Sequence, residues 1–261
     1  MSHQDFSGQV ALVTGAAQGI GAAVAEALAQ RGAHLVLLDR DAEGLQRQAS
    51  ALRQTGAKVL VRALDLRDAA AIEAAVVVAQ AHFGRIDLLV NVAGVLHAGD
   101  TTELSDEAWE DSFAINTTAV FRLCRAVSRH MLARSSGTIV TVGSNAAHVP
   151  RLGMAAYAAS KAATAHLMRC LALELAPHGI RCNTVSPGST DTPMQRAFAP
   201  TPGHVETVLR GAPERYRVGI PLGRIATPQD IAEGVCFLAS PQARHITMHD
   251  LLIDGGATLG A

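Results

Sequence analysis

The feature that most narrows the folds open to this chain is a repeated alternation of short apolar runs with alanine-rich helical patterns. VALVTG, HLVLLD, KVLVRALD, IDLLVNVAG, GTIVTVGS, IRCNTVSPG and DLLIDGG read as strands. Most are continuously apolar, as strands buried on both faces of a sheet are. Between them, residues 19–31, 43–55, 68–83, 105–133, 157–176 and 228–239 carry helical patterns. Strands alternating with helices predict an α/β fold, a doubly wound seven-stranded parallel sheet with helices on both faces. With 49% hydrophobic residues in a chain of 261, one large core is within reach, and a single domain over 1–261 is expected.

Sheets of this kind bind ligands beyond the carboxyl ends of their strands. The first strand runs into Thr14-Gly15-Ala16-Ala17-Gln18-Gly19-Ile20-Gly21. Glycines at such a turn let the backbone approach a pyrophosphate, and the helix that follows offers free amides and the positive end of its dipole. The spacing is G-x-x-x-G-x-G rather than G-x-G-x-x-G, so position carries the reading: first strand, first helix, then an acid ending the second strand. That acid, Asp39, suits the ribose hydroxyls of a dinucleotide and would repel a 2′-phosphate. Arg40 follows it and would favour a phosphate instead; the expectation is a Rossmann-type site for NAD rather than NADP. Asp65, Asn91, Ala93 and Gly94 fall at the same edge and are candidates for contact with the adenine and its ribose.

The segment from Gly143 to Lys161 supplies chemistry. Ser144 stands thirteen residues before Tyr157, and Lys161 stands four after it. On a helix, positions i and i+4 share a face, which places an ammonium beside a phenol. A neighbouring cation favours the phenolate and lowers a pKa that is ordinarily near 10. Tyr157 then takes a proton from a substrate hydroxyl, and Ser144 hydrogen-bonds the same oxygen; the trio fits alcohol oxidation or carbonyl reduction. The alternative is an ordinary half-buried tyrosine with a solvated lysine.

Several classes are disfavoured. A formal net charge of −1 gives no electrostatic footprint for nucleic acid or an anionic membrane. No apolar run approaches the ~18 residues of a membrane span, and MSHQDFSGQ lacks the order of a signal peptide, so a soluble, cytoplasmic protein is expected. Cys124, Cys170, Cys182 and Cys236 form no C-x-x-C pair and read as reduced thiols. His245 and His249 have no evident third ligand, and His148 is a lone loop histidine; no metal is expected.

With the T-G-x-x-x-G-x-G turn, Asn91-Val92-Ala93-Gly94 after the fourth strand, Asn116 in AINTTAVF, the Ser144, Tyr157 and Lys161 set, and Pro187-Gly188 after the sixth strand, the chain resembles the short-chain dehydrogenase/reductase family over essentially its full length. The resemblance implies a tetrad in which Asn116 holds a water in a proton relay to Lys161, and Lys161 also binds the nicotinamide ribose. It implies that Pro187, Gly188 and the hydroxyls of Thr190 or Thr192 position the carboxamide. The family's N-N-A-G is N-V-A-G here, which removes one side-chain amide and spares Asn91.

SNAAHVPRLGMAAYAASKAA, RCNTVSPGSTDTPMQR, GIPLGRIATPQDIA and HITMHDLLIDGGATLGA resemble a narrower group. Its members oxidise 2,3-dihydro-2,3-dihydroxybenzoate with NAD to the catechol 2,3-dihydroxybenzoate in siderophore biosynthesis. This implies a cyclic diol carboxylate as substrate, hydride loss from C3 with Tyr157 as base, and aromatisation of the product ketone. The carboxylate needs a cation, for which Arg151 and Arg196 are the two candidates, while Met194 and Gln195 would line the ring. Residues 189–220, and Pro200 to Gly219 above all, interrupt the alternation and read as a substrate lid. The resemblance further implies a homotetramer. Other readings are a dihydro-hydroxyanthranilate dehydrogenase, a 3-oxoacyl reductase and a non-catalytic dinucleotide-binding protein.

Overall fold

In the computed structural model, which describes residues 5–198 and 203–260, all seven apolar runs form strands of one parallel sheet. In chain order the elements are β1 (Val10–Thr14), α1 (Gly19–Gln30), β2 (His34–Asp39), α2 (Ala42–Arg53), β3 (Val59–Ala63), α3 (Ala69–Phe83) and β4 (Leu88–Asn91). There follow α4 (Asp106–Phe113), α5 (Ala119–Leu132), β5 (Gly137–Val142), α6 (Ala155–Leu175) and β6 (Ile180–Pro187). The last are α7 (Pro193–Phe198), α8 (His204–Arg210), β7 (Gly211–Ala212), β8 (Arg217–Val218), α9 (Pro228–Ala239) and β9 (Asp250–Ile253). The sheet order is β3-β2-β1-β4-β5-β6-β9, while β7 and β8 make a separate antiparallel hairpin. The order reverses beside β1, and a crevice opens there at the strands' carboxyl ends.

The apolar patterns explain the layers. Every residue of β1 is buried, because helices cover both of its faces, whereas the edge strand β3 is half exposed. On one face α1 and α9 press Val24, Leu28, Ile231 and Val235 onto the sheet; on the other, α3, α5 and α6 contribute Ile72, Val120, Leu123, Val127 and Met168. In α5 the buried positions 120, 123, 124, 127 and 131 recur at three and four residues, the stripe that a helix buries on one side. Each leucine taken fully out of water here contributes about 2 kcal/mol.

The helix expected over 105–133 is interrupted. Between α4 and α5 the chain makes a π turn at Ala114–Thr118, in the run AINTT, where asparagine and threonine are poor helix formers. The interrupting stretch also has structure of its own, α7, α8 and the β7–β8 hairpin, with Val208, Ile220 and Ala257 forming a small separate core beneath it; residues 199–202 of that stretch lie outside the described residues.

The amino ends of the strands are tied by one carboxylate. Asp87, just before β4, is 8% exposed and accepts hydrogen bonds from the Val10 amide (2.9 Å), from Arg85 (2.7–2.9 Å) and from Arg134 (3.2 Å). Its own amide donates to Val10, and its carbonyl accepts from Thr138 at the start of β5. Asp87→Ala strands a buried amide and a partly buried guanidinium, so urea unfolding is expected to show a loss of about 3 kcal/mol. A loss under 1 kcal/mol would mean that this end of the sheet is held by packing alone.

Candidate active site

The cleft begins where β1 meets the loop after β4. The Thr14 hydroxyl accepts hydrogen bonds from the amides of Val92 (3.0 Å) and Ala93 (3.1 Å), which binds the two turns together at the sheet's carboxyl edge. Gly15 lies so close to that loop that a Cβ on it would sit 2.9 Å from the Ala93 Cα, and its φ of +65° is a left-handed conformation suited to glycine. A Cβ on Gly21 would overlap the Gly15 carbonyl oxygen. No side chain caps α1, and its first turn carries no acid, so its leading amides are left for a ligand. These features fit a dinucleotide's pyrophosphate.

Gly15, Gln18, Gly19, Ile20 and Gly21 line one end of a cleft of about 820 Å³, with Asp39, Arg40 and Asp65 beyond them. One Asp39 oxygen accepts from the Ala17 amide at 3.1 Å and the other from the Asp41 amide at 3.1 Å, which holds the carboxylate at the end of β2. Asp65 is paired with Arg67 at 2.8 Å, and that guanidinium keeps its carboxyl below the usual range. Ala93 and Gly94 form the floor, and Pro187, Gly188, Thr190 and Thr192 the opposite wall.

Asn91 does not belong to this lining. It ends β4 with its side chain turned into the core, 2% exposed, donating to the Thr141 hydroxyl at 3.1 Å and to Cys124 Sγ at 3.5 Å. Alternation along a strand explains it: the neighbouring Val92 faces the cleft, so Asn91 faces away.

Ser144, Tyr157 and Lys161 meet at the centre of the cleft. Ser144 follows β5 and caps a short 3₁₀ turn, its Oγ accepting from the Ala146 amide at 3.1 Å. Tyr157 and Lys161 lie on one face of α6, with Nζ 5.8 Å from the centre of the phenol ring. Nζ donates to the carbonyl of Val142, the last residue of β5, at 2.9 Å.

The electrostatics correct one expectation. Tyr157 is 9% exposed, and burial raises its pKa above the ordinary value; the Ser144 hydroxyl acts the other way, while Lys161 has no comparable effect. Lys161 Nζ lies over the ring and donates its hydrogen bond to Val142. Burial also lowers the Lys161 ammonium to about 8.

Asn116 sits in the π turn, 1% exposed, and does not line the cleft. Its Oδ1 accepts from the Val95 amide at 2.9 Å, and its Nδ2 donates to the Val95 carbonyl at 3.0 Å and to the Ser160 hydroxyl at 2.9 Å. Its carbonyl accepts from the Thr164 hydroxyl at 2.7 Å. A Cβ on Gly94 would lie 3.1 Å from Asn116 Oδ1 and 3.5 Å from Lys161 Nζ, so both groups crowd the backbone of the cleft floor. Asn116 positions that floor and α6 through its side chain.

At the other end of the cleft, Arg151, Met194 and Gln195 are among the lining residues. Arg196 is not. It is solvent-exposed and paired with Asp191 through Nε at 2.8 Å and Nη2 at 3.0 Å, because one turn of α7 and its approach bring the two within reach. Two arginines missed by sequence reasoning, Arg215 and Arg217, do line the cleft. The signal that could have found them was their position in PERYRVG, within the stretch that interrupts the strand–helix alternation.

Among the described residues, no helix is long and apolar enough to cross a membrane, and no group of three or more His, Cys, Asp or Glu side chains is arranged to hold a metal ion. Three of the four cysteines are buried and Cys170 is exposed; all are free thiols.

Residues 9–203 match the short chain dehydrogenase family. The chain is 51% identical over 260 residues, all of both chains, to a 2,3-dihydro-2,3-dihydroxybenzoate dehydrogenase of Bacillus subtilis. It is 44% identical to the protein of that name in Escherichia coli, covering 98% of this chain and 100% of the other. A similar solved structure is a 7α-hydroxysteroid dehydrogenase complexed with NADH and 7-oxo glycochenodeoxycholic acid, at 29% identity and a TM-score of 0.91, with 98% and 96% of the two chains covered. The chain belongs to the short-chain dehydrogenase family.

Proposed function

We propose that this protein oxidises 2,3-dihydro-2,3-dihydroxybenzoate to 2,3-dihydroxybenzoate, using NAD, in catecholate siderophore biosynthesis. What carries the reading is that Ser144, Tyr157 and Lys161 converge on one cleft in a chain 51% and 44% identical, end to end, to two dehydrogenases of that name. A glycine turn fitted to a pyrophosphate supports the nicotinamide dinucleotide, and the NADH complex of a structural neighbour supports it too. The Asp39 carboxylate, fixed at the end of β2, supports NAD over NADP. The homotetramer belongs to the same reading, with Trp109 on α4 and Phe121 on α5 exposed and available to an interface.

Bound oxidised nicotinamide supplies the acceptor for the C3 hydride and one positive charge. Tyr157 takes the proton of the C3 hydroxyl as the C–H bond breaks. Ser144 has its Oγ oriented by the Ala146 amide, which leaves the hydroxyl hydrogen to donate to the oxygen that becomes a carbonyl. The ketone so formed loses its C2 proton and enolises to the catechol, and aromatisation draws the reaction toward oxidation. Because burial opposes the phenolate, deprotonation of Tyr157 is favoured by positive charge brought into the cleft.

Purified protein with NAD⁺ and the dihydrodiol carboxylate is expected to form NADH and 2,3-dihydroxybenzoate, and to do so poorly with NADP⁺. No catechol from either the cis or the trans diol, in protein that binds NAD⁺, overturns the substrate reading. Tyr157→Phe should lower kcat about 10²–10⁴-fold with NAD⁺ affinity kept; retention of a tenth of the wild-type rate contradicts a general base.

Asp39→Ala should reduce the ratio of kcat/KM for NAD to that for NADP by about 10- to 100-fold, the worth of hydrogen bonds to a charged group. An unchanged ratio would move cofactor choice elsewhere, with Arg40 the next residue to test.

Lys161 makes stability depend on pH with a definite sign. Its folded value of about 8 lies below the ordinary 10.5, so the cost of burying the ammonium is fully present below pH 8. That cost is relieved as pH rises toward 10.5, where the unfolded chain holds the extra proton. Lys161→Met should therefore stabilise the cofactor-free protein at pH 7 by on the order of 2 kcal/mol. The gain should be smaller at pH 10; equal gains in urea titrations at both pH values would show that the ammonium is not buried at a cost.

A further inference from the structure

We propose that Arg217, delivered by the β7–β8 hairpin, anchors the carboxylate of the substrate, with Arg151 beside it and Arg215 at the rim. The inference rests on the proposed oxidation of a diol carboxylate and adds the residue that reads the acid. All three arginines line the cleft that Ser144 and Tyr157 line, and Leu152 and Met154 line it with them. An acidic ring between these walls meets hydroxyl chemistry on one side and cations on another.

The three differ from most other arginines of the chain in what they touch. Arg196, Arg224, Arg85 and Arg67 each hold a carboxylate within 3.0 Å. By contrast, Arg217 Nη2 donates to the Ser189 hydroxyl at 3.1 Å, Arg215 Nη2 to the Leu152 carbonyl at 3.5 Å and Arg151 Nη2 to the Ala257 carbonyl at 3.5 Å. Among the described residues none of the three is within 4.0 Å of a carboxylate. Asp254 is the acid whose charge acts on Arg151, and its oxygens are engaged by Asn145 Nδ2 at 3.2 Å and the Gly256 amide at 2.9 Å.

Like charges held together in a partly buried place are costly unless an anion joins them. The repulsion is present here: burial lowers the pKa of Arg217, and the charges of Arg151 and Arg215 lower it further. A planar carboxylate accepting parallel N–H bonds relieves it and fits a guanidinium fork.

The hairpin is built to hold this position. Gly211 has a φ of +90°, and a Cβ there would lie 2.7 Å from the Arg217 carbonyl, so the strands close only around glycine. Val208 before the hairpin and Ile220 after it pack on Ala257, which fixes both of its ends to the body. Arg217 is half-buried while Val218, the next residue of β8, is exposed, as alternation along a strand requires.

The test is steady-state kinetics of Arg217→Met and Arg217→Lys with NAD⁺ and the diol carboxylate, with Arg196→Met as a control outside the cleft. Arg217→Met is expected to raise KM for the diol about 10- to 100-fold and to leave KM for NAD within threefold, with Arg217→Lys in between. The inhibition constant of 2,3-dihydroxybenzoate should rise with KM, and that of catechol, which lacks the acid, should not. An unchanged KM for the diol, equal rises for diol and NAD, or equal losses for 2,3-dihydroxybenzoate and catechol overturns the assignment. Should Arg217→Met not fold, Arg217→Lys carries the same comparison, because a fork-dependent contact is lost while charge is kept. Wild-type protein that binds NAD⁺ but leaves the diol untouched defeats the proposed function instead, so the two failures are distinct.

Discussion

The hydrogen bond from Lys161 to the Val142 carbonyl joins the helix that carries Tyr157 to the strand that leads to Ser144. With the Thr141 hydroxyl donating to Met168 Sδ at 3.3 Å, it adds direction to apolar contacts that set distance but not register. The bond gives one proton of a lysine at 4% exposure a fixed acceptor, while burial holds the ammonium down at about 8. The site therefore holds two groups whose charged forms burial disfavours, an acid and a base separated by one turn of helix. A charge that enters the cleft shifts both, which links chemistry to occupancy.

Opposite ends of the sheet divide the work. At the amino ends Asp87 gathers an amide and two guanidinium groups and is closed to ligands. At the carboxyl ends, where the glycine turn meets the loop after β4, the tie is neutral: the Thr14 hydroxyl holds the Val92 and Ala93 amides. A hydroxyl and glycines at that point leave backbone groups and space available, while the Asp65–Arg67 pair lies farther along the cleft, beyond the glycine turn. The π turn at Ala114–Thr118 belongs to the same economy of space: it aims Asn116 at the Val95 backbone, supporting the floor of the cleft from outside it.

Much of this was legible in the sequence, for stated reasons. Buried parallel strands need continuous apolar runs, so seven runs announced seven strands, and the T-G-x-x-x-G-x-G turn announced which end would bind. What misled was side-chain direction. Asn91 was placed at the cleft because its position along the strand was right, yet a one-residue step along a strand reverses the face. Arg196 and Arg217 are both arginines of the same interrupting stretch, and only the fold shows that Asp191 neutralises the first while the second is left without an acid. The i and i+4 spacing places Tyr157 and Lys161 on one face and says nothing of how deeply the fold buries the phenol, which is what raises its pKa.

That division has a consequence for how such a chain changes its substrate. The groups that bind dinucleotide and move the proton are set by the sheet and α6, where a shift of backbone disturbs the whole core. Arg217 is set by a four-residue ladder resting on Val208, Ile220 and Ala257, a small core that packs apart from the two large ones. A change of charge or length in that hairpin alters what the cleft accepts while leaving Tyr157, Lys161 and the β5–α6 register where they are. The preference for an acidic ring is thus held in the part of the fold that costs least to alter, and the proton chemistry in the part that costs most.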